Sequence, residues 1–263
     1  MYSVSGIPLD NPQFGWALLA PTKPIAELSR SLVTIATAGM DGVLPDIPAS
    51  VDAPVLSLVV RTPHDQLAAL LALLIRPGST LAQTSDPSRQ LAFEFASYSF
   101  DGYGDADELI DVTAQVRVPG VYLRDTVDTA TAPVSLTSGS GVLTPWSGLS
   151  APVFDGTLTF VGPLTSVRVT DGTTRTGFTW AGALDSAHQL VYDMKTMSAT
   201  TAPVANPTST TDVSGGLDFF GDQFCITPYF TDPTARAGRV EVTAAGAGAT
   251  TTAKATGKGA YVA

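Results

Sequence analysis

The sequence predicts a mainly β protein in two parts: an N-terminal antiparallel sheet covered by one α-helix, and a C-terminal β-sandwich of jelly-roll type. Several short segments alternate apolar and polar residues, as half-buried strands do. One segment near residue 70 has the apolar spacing and the terminal residues of a helix. Between the two parts the chain becomes rich in Thr, Ser, Ala and Gly, which is typical of a linker.

The predicted helix lies within residues 62–78. Thr62 and Pro63 suit its start, because one can cap free N–H groups and the other fits the first helical position, while Pro77 and Gly78 cannot continue it. Four leucines follow the i, i+3, i+4, i+7 spacing of one helix face: Leu67, Leu70, Leu71 and Leu74. Aliphatic residues fill most other positions, so this helix must be covered on more than one side. We therefore expect these leucines to lie in the core or at a seam between subunits.

The flanking segments predict the rest of the N-terminal part. Residues 1–30 are rich in proline and carry Phe14 and Trp16, which indicates an extended arm. Strands are predicted over 31–38, 54–61, 91–96 and 110–118, and the helix is the natural cover of their apolar face. The predicted organisation is an arm over 1–30, an N-terminal domain over 31–124, a linker over 125–145, and a C-terminal sandwich of seven short strands over 146–263.

Composition narrows the classes of function. The chain has 263 residues, with 24 acidic against 14 basic side chains and a net charge of −10, which disfavours stable binding to nucleic acid or anionic lipid. The single cysteine, Cys225, excludes an internal disulfide and a zinc site made of cysteine pairs. The apolar helix spans roughly 20 Å against the roughly 30 Å of a bilayer, so we expect no membrane insertion. The N-terminus shows no pattern of a secretory signal.

Candidate catalytic groups are few. His64 falls at the start of the predicted helix, where a solvated or interfacial position is the simpler interpretation. Asp185, Ser186 and His188 include the residue types of a hydrolytic triad, but the Gly-x-Ser-x-Gly elbow that would expose the nucleophile is missing. We interpret 185–188 as a polar turn, and we predict no catalytic residue, no cofactor and no enzymatic activity.

Two further groups have a functional and a structural interpretation. In the acidic run 101–111, Asp101, Asp105 and Asp107 are weak candidates for Ca²⁺ ligands, although the spacing fits no EF-hand loop and a solvated hairpin tip is favoured. Four aromatic residues fit either a sugar-binding face or, as we favour, the core: Trp146, Trp180, Tyr192 and Tyr229. Two classes of function remain, a structural assembly subunit and a carbohydrate-binding module.

Short motifs along the whole chain support the first class. They are the turn Gly39-Met40-Asp41-Gly42, the helix end Arg76-Pro77-Gly78, the segment 151–162 with its sequence APVFDGTLTFVG, and Leu190-Val191-Tyr192-Asp193. In this order, after a proline-rich arm and before a final aromatic strand, they resemble the distal tail protein family of long, flexible-tailed (siphovirus-type) bacteriophages.

The resemblance implies a virion protein that is assembled in the host cytoplasm. Its N-terminal domain would form a ring, usually of six copies, that joins the tail tube to the tail tip or baseplate, and its C-terminal domain would be a galectin-like sandwich that projects outward. The implied partners are further copies of the chain, the tail tube protein, and tail-tip hub and adhesion proteins. The genome would pass through the ring. The alternative is a carbohydrate-binding minor tail protein or adhesin that acts through the C-terminal sandwich.

Overall fold

The computed structural model describes residues 1–20, 22, 34–35, 44–45, 52–101, 109–231 and 235–262. Within these ranges the chain is mainly β with one α-helix, so the predicted fold class is confirmed. The chain divides into two compact units, Met1–Leu123 and Arg124–Val262. No helix in the described ranges is both long and apolar enough to cross a membrane.

The first unit contains ten strands among its described residues, together with a 3₁₀ turn (His64–Gln66) and helix α1 (Leu67–Ile75). The strands are β1 (Tyr2–Val4), β2 (Ile7–Pro8), β3 (Ala17–Leu18), β4 (Thr34–Ile35), β5 (Leu44–Pro45), β6 (Val55–Pro63), β7 (Thr80–Gln83), β8 (Asp86–Ala92), β9 (Glu94–Asp101) and β10 (Leu109–Arg117). Strand β11 (Leu123–Asp125) spans the boundary of the two units.

Two antiparallel sheets organise the first unit. One has the order β2-β1-β7-β8 and the other β3-β6-β10-β9, while β4 and β5 pair with each other. Along β10 the buried residues alternate with partly exposed ones, as the sequence predicts for a half-buried strand. Ile110, Val112, Ala114 and Val116 face the core, where α1 packs against β6 and β9. The prediction that the helix covers the apolar face of the strands over 54–61 and 110–118 is therefore confirmed. The described residues 34–35 of the predicted strand over 31–38 instead pair with β5 and lie outside this sheet.

The ends of the helix differ from the sequence prediction. Thr62 is a buried residue of β6, its hydroxyl donates to the carbonyl of Pro63 at 3.2 Å, and the helix begins only at Leu67 without a side-chain cap. The chain leaves the helix after Ile75, and the Ser79 hydroxyl donates to the carbonyl of Arg76 at 2.9 Å. Gly78 then adopts φ +73°, a conformation that glycine accepts without strain.

The N-terminal residues do not form a free arm. Strand β1 pairs with β7, and Val4, Leu9 and Trp16 are buried in the core of the first unit. Phe14 stacks on Trp16, with 4.7 Å between the ring centroids. The apolar residues among the prolines thus bind the segment 1–20 to its own unit. Residues 21 and 23–30 of the predicted arm lie outside the described residues, as does the turn 39–42.

The second unit contains only strands and one 3₁₀ turn (Ser214–Gly216) among its described elements. The strands are β12 (Thr129–Ala130), β13 (Val134–Ser135), β14 (Ser140–Leu143), β15 (Thr157–Val161), β16 (Leu164–Asp171), β17 (Gly177–Leu184), β18 (His188–Asp193), β19 (Ser198–Pro203), β20 (Thr211–Asp212), β21 (Leu217–Phe220), β22 (Pro228–Phe230), β23 (Arg236–Gly238), β24 (Val240–Ala245), β25 (Thr252–Gly257) and β26 (Ala260–Tyr261).

Two antiparallel sheets of the second unit form a β-sandwich. One sheet has the order β12-β25-β15-β18-β19-β20, with β13 also on β25, and the other has the order β14-β24-β16-β17-β21. The stacked rings of Phe178 in β17 and Tyr192 in β18, with centroids 4.0 Å apart, join the two layers. Phe224 meets Phe178 edge to face at 5.6 Å. These buried aromatic rings form the centre of the core.

The segment 125–145 is part of this sandwich, so the prediction of a linker there is wrong. Strands β12, β13 and β14 lie within it and pair with β25 and β24. Leu136 and Leu143 are fully buried. The Thr, Ser, Ala and Gly residues that suggested a linker instead occupy edge strands, where small polar side chains meet solvent.

Candidate assembly surfaces

The Asp185–His188 pair lies on the tight turn between β17 and β18, as predicted. His188 Nδ1 is 2.6 Å from Asp185 Oδ1, and the imidazole lowers the pKa of this carboxyl group by hydrogen bonding, with help from the Ala187 N–H. The His188 side chain is 42% exposed and the Asp185 side chain is 67% exposed. These hydrogen bonds stabilise an exposed turn. This structural role explains why an aspartate and a histidine lie together here without a nucleophile.

The acidic run lies mostly outside the described residues. Asp105 and Asp107 belong to 102–108, which the structure does not describe, and Asp101 is the last residue of β9. In the part of the chain that is described, no three His, Cys, Asp or Glu side chains gather as a metal site would require. The Ca²⁺ prediction for Asp101, Asp105 and Asp107 therefore stays a prediction.

The four candidate aromatic residues do not form an open face. Trp180 and Tyr192 are buried in the sandwich, and Trp146 is only 9% exposed because its indole lies below Gly156 and Gly257 and donates to the carbonyl of Gly257 at 3.0 Å. Tyr229 is partly buried, with the Arg239 guanidinium 4.8 Å from its ring centre. Core packing, the favoured interpretation, accounts for the three most buried rings.

The helix leucines divide between core and surface. Leu70 and Leu74 are buried in the core of the first unit, and Leu67 packs against that core. Leu71 is also half-buried, but unlike Leu67 it does not pack against that core. The prediction of a subunit seam is wrong for Leu70 and Leu74, because the sheet of their own chain already covers them. The exposed apolar surface of α1 consists of Ala68, Ala69, Ala72 and Ile75.

Strand β9 presents the most apolar edge of the sheet β3-β6-β10-β9. Among the described residues it is the last strand of that sheet, and Tyr98 in its middle is 43% exposed. The register with β10 shifts at one point: Val116 lies opposite Phe95 but Gln115 lies opposite Ser97, so Ala96 is an extra residue. This bulge places Phe95 and Tyr98 on the same face, with ring centroids 6.2 Å apart.

Sequence reasoning missed this edge. The predicted strand over 91–96 spans the end of β8 and the start of β9, which are separate strands in different sheets. The residues just after position 96 do indicate this strand, because Tyr98 and Phe100 alternate with Ser97 and Ser99 at the period of a strand.

The face of this sheet opposite the core is polar. Arg61 of β6 and Asp111 of β10 lie opposite each other and form a two-point ion pair, with Nε–Oδ1 at 2.7 Å and Nη2–Oδ2 at 2.9 Å. The guanidinium lowers the pKa of Asp111, first through this hydrogen bond. Towards the other end of the sheet, Arg117 lies between Val55 and Glu94 in the register. The arginines of this face are thus each set beside an acidic residue.

No protein-family model matches this chain, and no curated protein matches it. Among solved structures, it is similar to the Dit (gp 19.1) protein of phage SPP1, described as a paradigm of the hub adsorption apparatus in phages that infect Gram-positive bacteria. The identity is 14% and the TM-score 0.56, over 98% of this chain and 99% of that one. A more remote likeness is to the phage P2 baseplate in its activated conformation with Ca, with 9% identity, a TM-score of 0.38, and coverage of 92% and 90%. The chain therefore shares the fold of the SPP1 protein along nearly its whole length.

Proposed function

We propose that this chain is a non-enzymatic structural subunit of a bacteriophage tail that forms a ring between the tail tube and the tail tip or baseplate. The observation that carries the proposal is the shared fold with the SPP1 hub protein over 98% of this chain. The sequence motifs that resemble distal tail proteins support it independently, because they lie in both units. In this proposal six copies form the ring, and the second unit is the galectin-like outward domain.

The charge of the chain suits a ring through which DNA passes. A passage for DNA must not hold phosphate groups, and unpaired arginine or lysine side chains would do so. The net charge of −10 repels phosphate, and the ion pair with Asp111 already occupies the guanidinium of Arg61. The polar face of the sheet β3-β6-β10-β9 is the surface we propose for this passage.

The proposed partners are the tail tube protein on one side of the ring, and tail-tip hub and adhesion proteins on the other. Assembly takes place in the host cytoplasm, and the mature protein belongs to the virion tail. The second candidate, a carbohydrate-binding adhesin, needs an open aromatic face in the second unit. The burial of Trp146, Trp180 and Tyr192 gives it no support.

Native mass spectrometry and negative-stain imaging of the purified full chain test this proposal. We expect rings with six times the 27.2 kDa mass of the chain, alone or with the tail tube protein. Antibody labelling should place the protein where the tail tube meets the tip. A chain that stays monomeric at high concentration, with and without tail partners, would contradict the proposal. Selective and saturable binding on a glycan array would favour the adhesin instead.

A further inference from the structure

We propose that the second unit binds an oxyanion, a phosphate or carboxylate group, on the outer face of the sheet β14-β24-β16-β17-β21, with the guanidinium of Arg168 at the centre of the site. The outer face is the one directed away from the other sheet of the sandwich. This site goes beyond the proposed function and does not depend on ring assembly.

Arg168 stands exposed in the middle strand of this sheet. Its neighbours in β16, Val167 and Val169, are fully buried between the two sheets, so the side chain of Arg168 lies on the outer face. Most positions next to it on this face carry short side chains: Ser166, Thr170, Thr179, Ala181, Thr243 and Ala245. The guanidinium is therefore accessible to a ligand from solvent.

An aromatic ring holds this guanidinium in place. The Cζ atom of Arg168 lies 4.1 Å from the ring centre of Phe220, which belongs to the edge strand β21. Phe220 reaches across β17 because it lies opposite Gly177, where a Cβ would be only 2.7 Å from its ring. Stacking leaves the N–H groups of the guanidinium free to donate, and it lowers the entropy that the side chain loses when a ligand binds.

The acidic residues of this face do not pair with Arg168. Glu241 is held by two other arginines, with Arg175 Nη1 at 2.8 Å from its Oε2 and Arg239 Nε at 3.2 Å from its Oε1. Asp218 lies beyond Thr179 in the register. In the part of the chain that is described, the guanidinium of Arg168 forms neither an ion pair nor a hydrogen bond. Three arginines thus meet two carboxylates on one face of a chain whose net charge is −10.

Two threonine hydroxyls complete the set of donors. Thr243 of β24 and Thr179 of β17 lie directly opposite Arg168 on its two sides, which places their Cβ atoms about 5 Å from its own. Neither hydroxyl has a hydrogen-bond partner among the described residues. A guanidinium binds two oxygens of a phosphate or carboxylate side by side, and a neighbouring hydroxyl can donate to a further oxygen. Asp218 and Glu241 repel an extended polyanion, so the site fits a single oxyanion group.

Equilibrium dialysis of the full chain against labelled inorganic phosphate, and separately against labelled acetate, tests this site at constant ionic strength. We expect saturable binding of one anion per chain, and the anion that binds more tightly identifies the ligand group as phosphate or carboxylate. Arg168→Gln should weaken this binding by about tenfold or more, because the charged fork is lost. Phe220→Leu should weaken it by a smaller factor, because Arg168 stays but is no longer oriented.

Arg76→Gln is the matched control, since Arg76 is also exposed but lies in the first unit, outside this set of donors. It should bind the anion as the wild type does, and far-UV circular dichroism should show that all three variants are folded. Binding that is equal in the wild type and Arg168→Gln would overturn the site, as would an equal loss in Arg76→Gln. A wild type that binds neither anion at about 10 mM would overturn it too, whether or not the chain forms rings.

Discussion

The buried carboxylate of Asp171 binds Thr227 twice: it accepts from the backbone N–H at 3.0 Å and from the hydroxyl at 2.7 Å. The same carboxylate accepts from the N–H groups of Thr173 and Thr174 at 3.0 and 2.8 Å, and from the Thr174 hydroxyl at 2.9 Å. One fully buried acidic group therefore closes the turn after β16 and ties it to a segment 56 positions further along the chain.

We expect Asp171→Ala to destabilise the second unit by about 3 kcal/mol, because five partly buried N–H and hydroxyl donors would lose their shared charged acceptor. Asp193→Ala is the matched control: Asp193 also closes a turn, accepting from the Lys195 N–H at 2.8 Å, but the residue is only half-buried and this hydrogen bond is exposed. Asp193→Ala should lower the free energy of unfolding by no more than about 1 kcal/mol. Denaturant unfolding of both variants measures the difference, and equal losses would refute the central role of Asp171.

Leu70→Asp should prevent the first unit from folding, because it places an unpaired charge in the core at a cost of several kcal/mol, roughly 4 or more. Ala72→Asp, on the exposed side of the same helix, should cost less than about 1 kcal/mol. Limited proteolysis and circular dichroism compare the two. A Leu70→Asp protein that folds but does not assemble would contradict this prediction and would show that Leu70 lies at a subunit seam.

Gly177→Ala should destabilise the sandwich by about 1–3 kcal/mol through overpacking. A Cβ at this position would lie 2.0 Å from the carbonyl oxygen of Val169 and 2.7 Å from the Phe220 ring, so Phe220 and the Arg168 guanidinium stacked on it at 4.1 Å would have to move. Gly215→Ala is the control, since nothing lies within 4 Å of its Cβ position. Thermal melting should show a lower Tm for the first variant only, and a normal Tm would refute the predicted clash.

Stability should fall at alkaline pH. Burial raises the pKa of Tyr192 from 10.0 to about 12, and burial followed by the charge of Asp171 raises the pKa of Cys225 from 9.0 to about 12. Between about pH 9 and 12 the unfolded chain has lost these protons while the folded chain keeps them, so unfolding is favoured as the pH rises. Their contribution is complete below pH 9.

The double variant Tyr192→Phe, Cys225→Ala removes both titrating groups. Melting temperatures measured between pH 7 and 11 should fall less steeply for it than for the wild type. Tyr192→Phe should leave stability at pH 7 unchanged or raise it, because the Tyr192 hydroxyl is buried without a hydrogen-bond partner among the described residues. Identical pH profiles of variant and wild type would contradict the prediction.

The predictable parts of the fold are those where one face of a strand is apolar and the other polar. Strand β10 was predicted almost to the residue because its four core positions alternate with Asp111, Thr113 and Gln115. Strand β25 was not predicted, because its buried positions Ala253 and Ala255 are too small to give an apolar pattern. The burial of Leu70 and the exposure of Tyr98 depend on which strands lie nearby, and local spacing does not contain that information.

The bulge at Ala96 holds one residue of β9 that has no partner in β10, between two stretches that both pair regularly. With Ala96 deleted, Phe95 and Ser97 would become neighbours opposite Val116 and Gln115, and Tyr98 would keep its place opposite Ala114. Loss of Ser99 from the regular stretch would instead bring Phe100 opposite Thr113, on the polar face of the sheet. In natural variants of this chain, a single-residue deletion in β9 should therefore be accepted at position 96 and excluded at position 99.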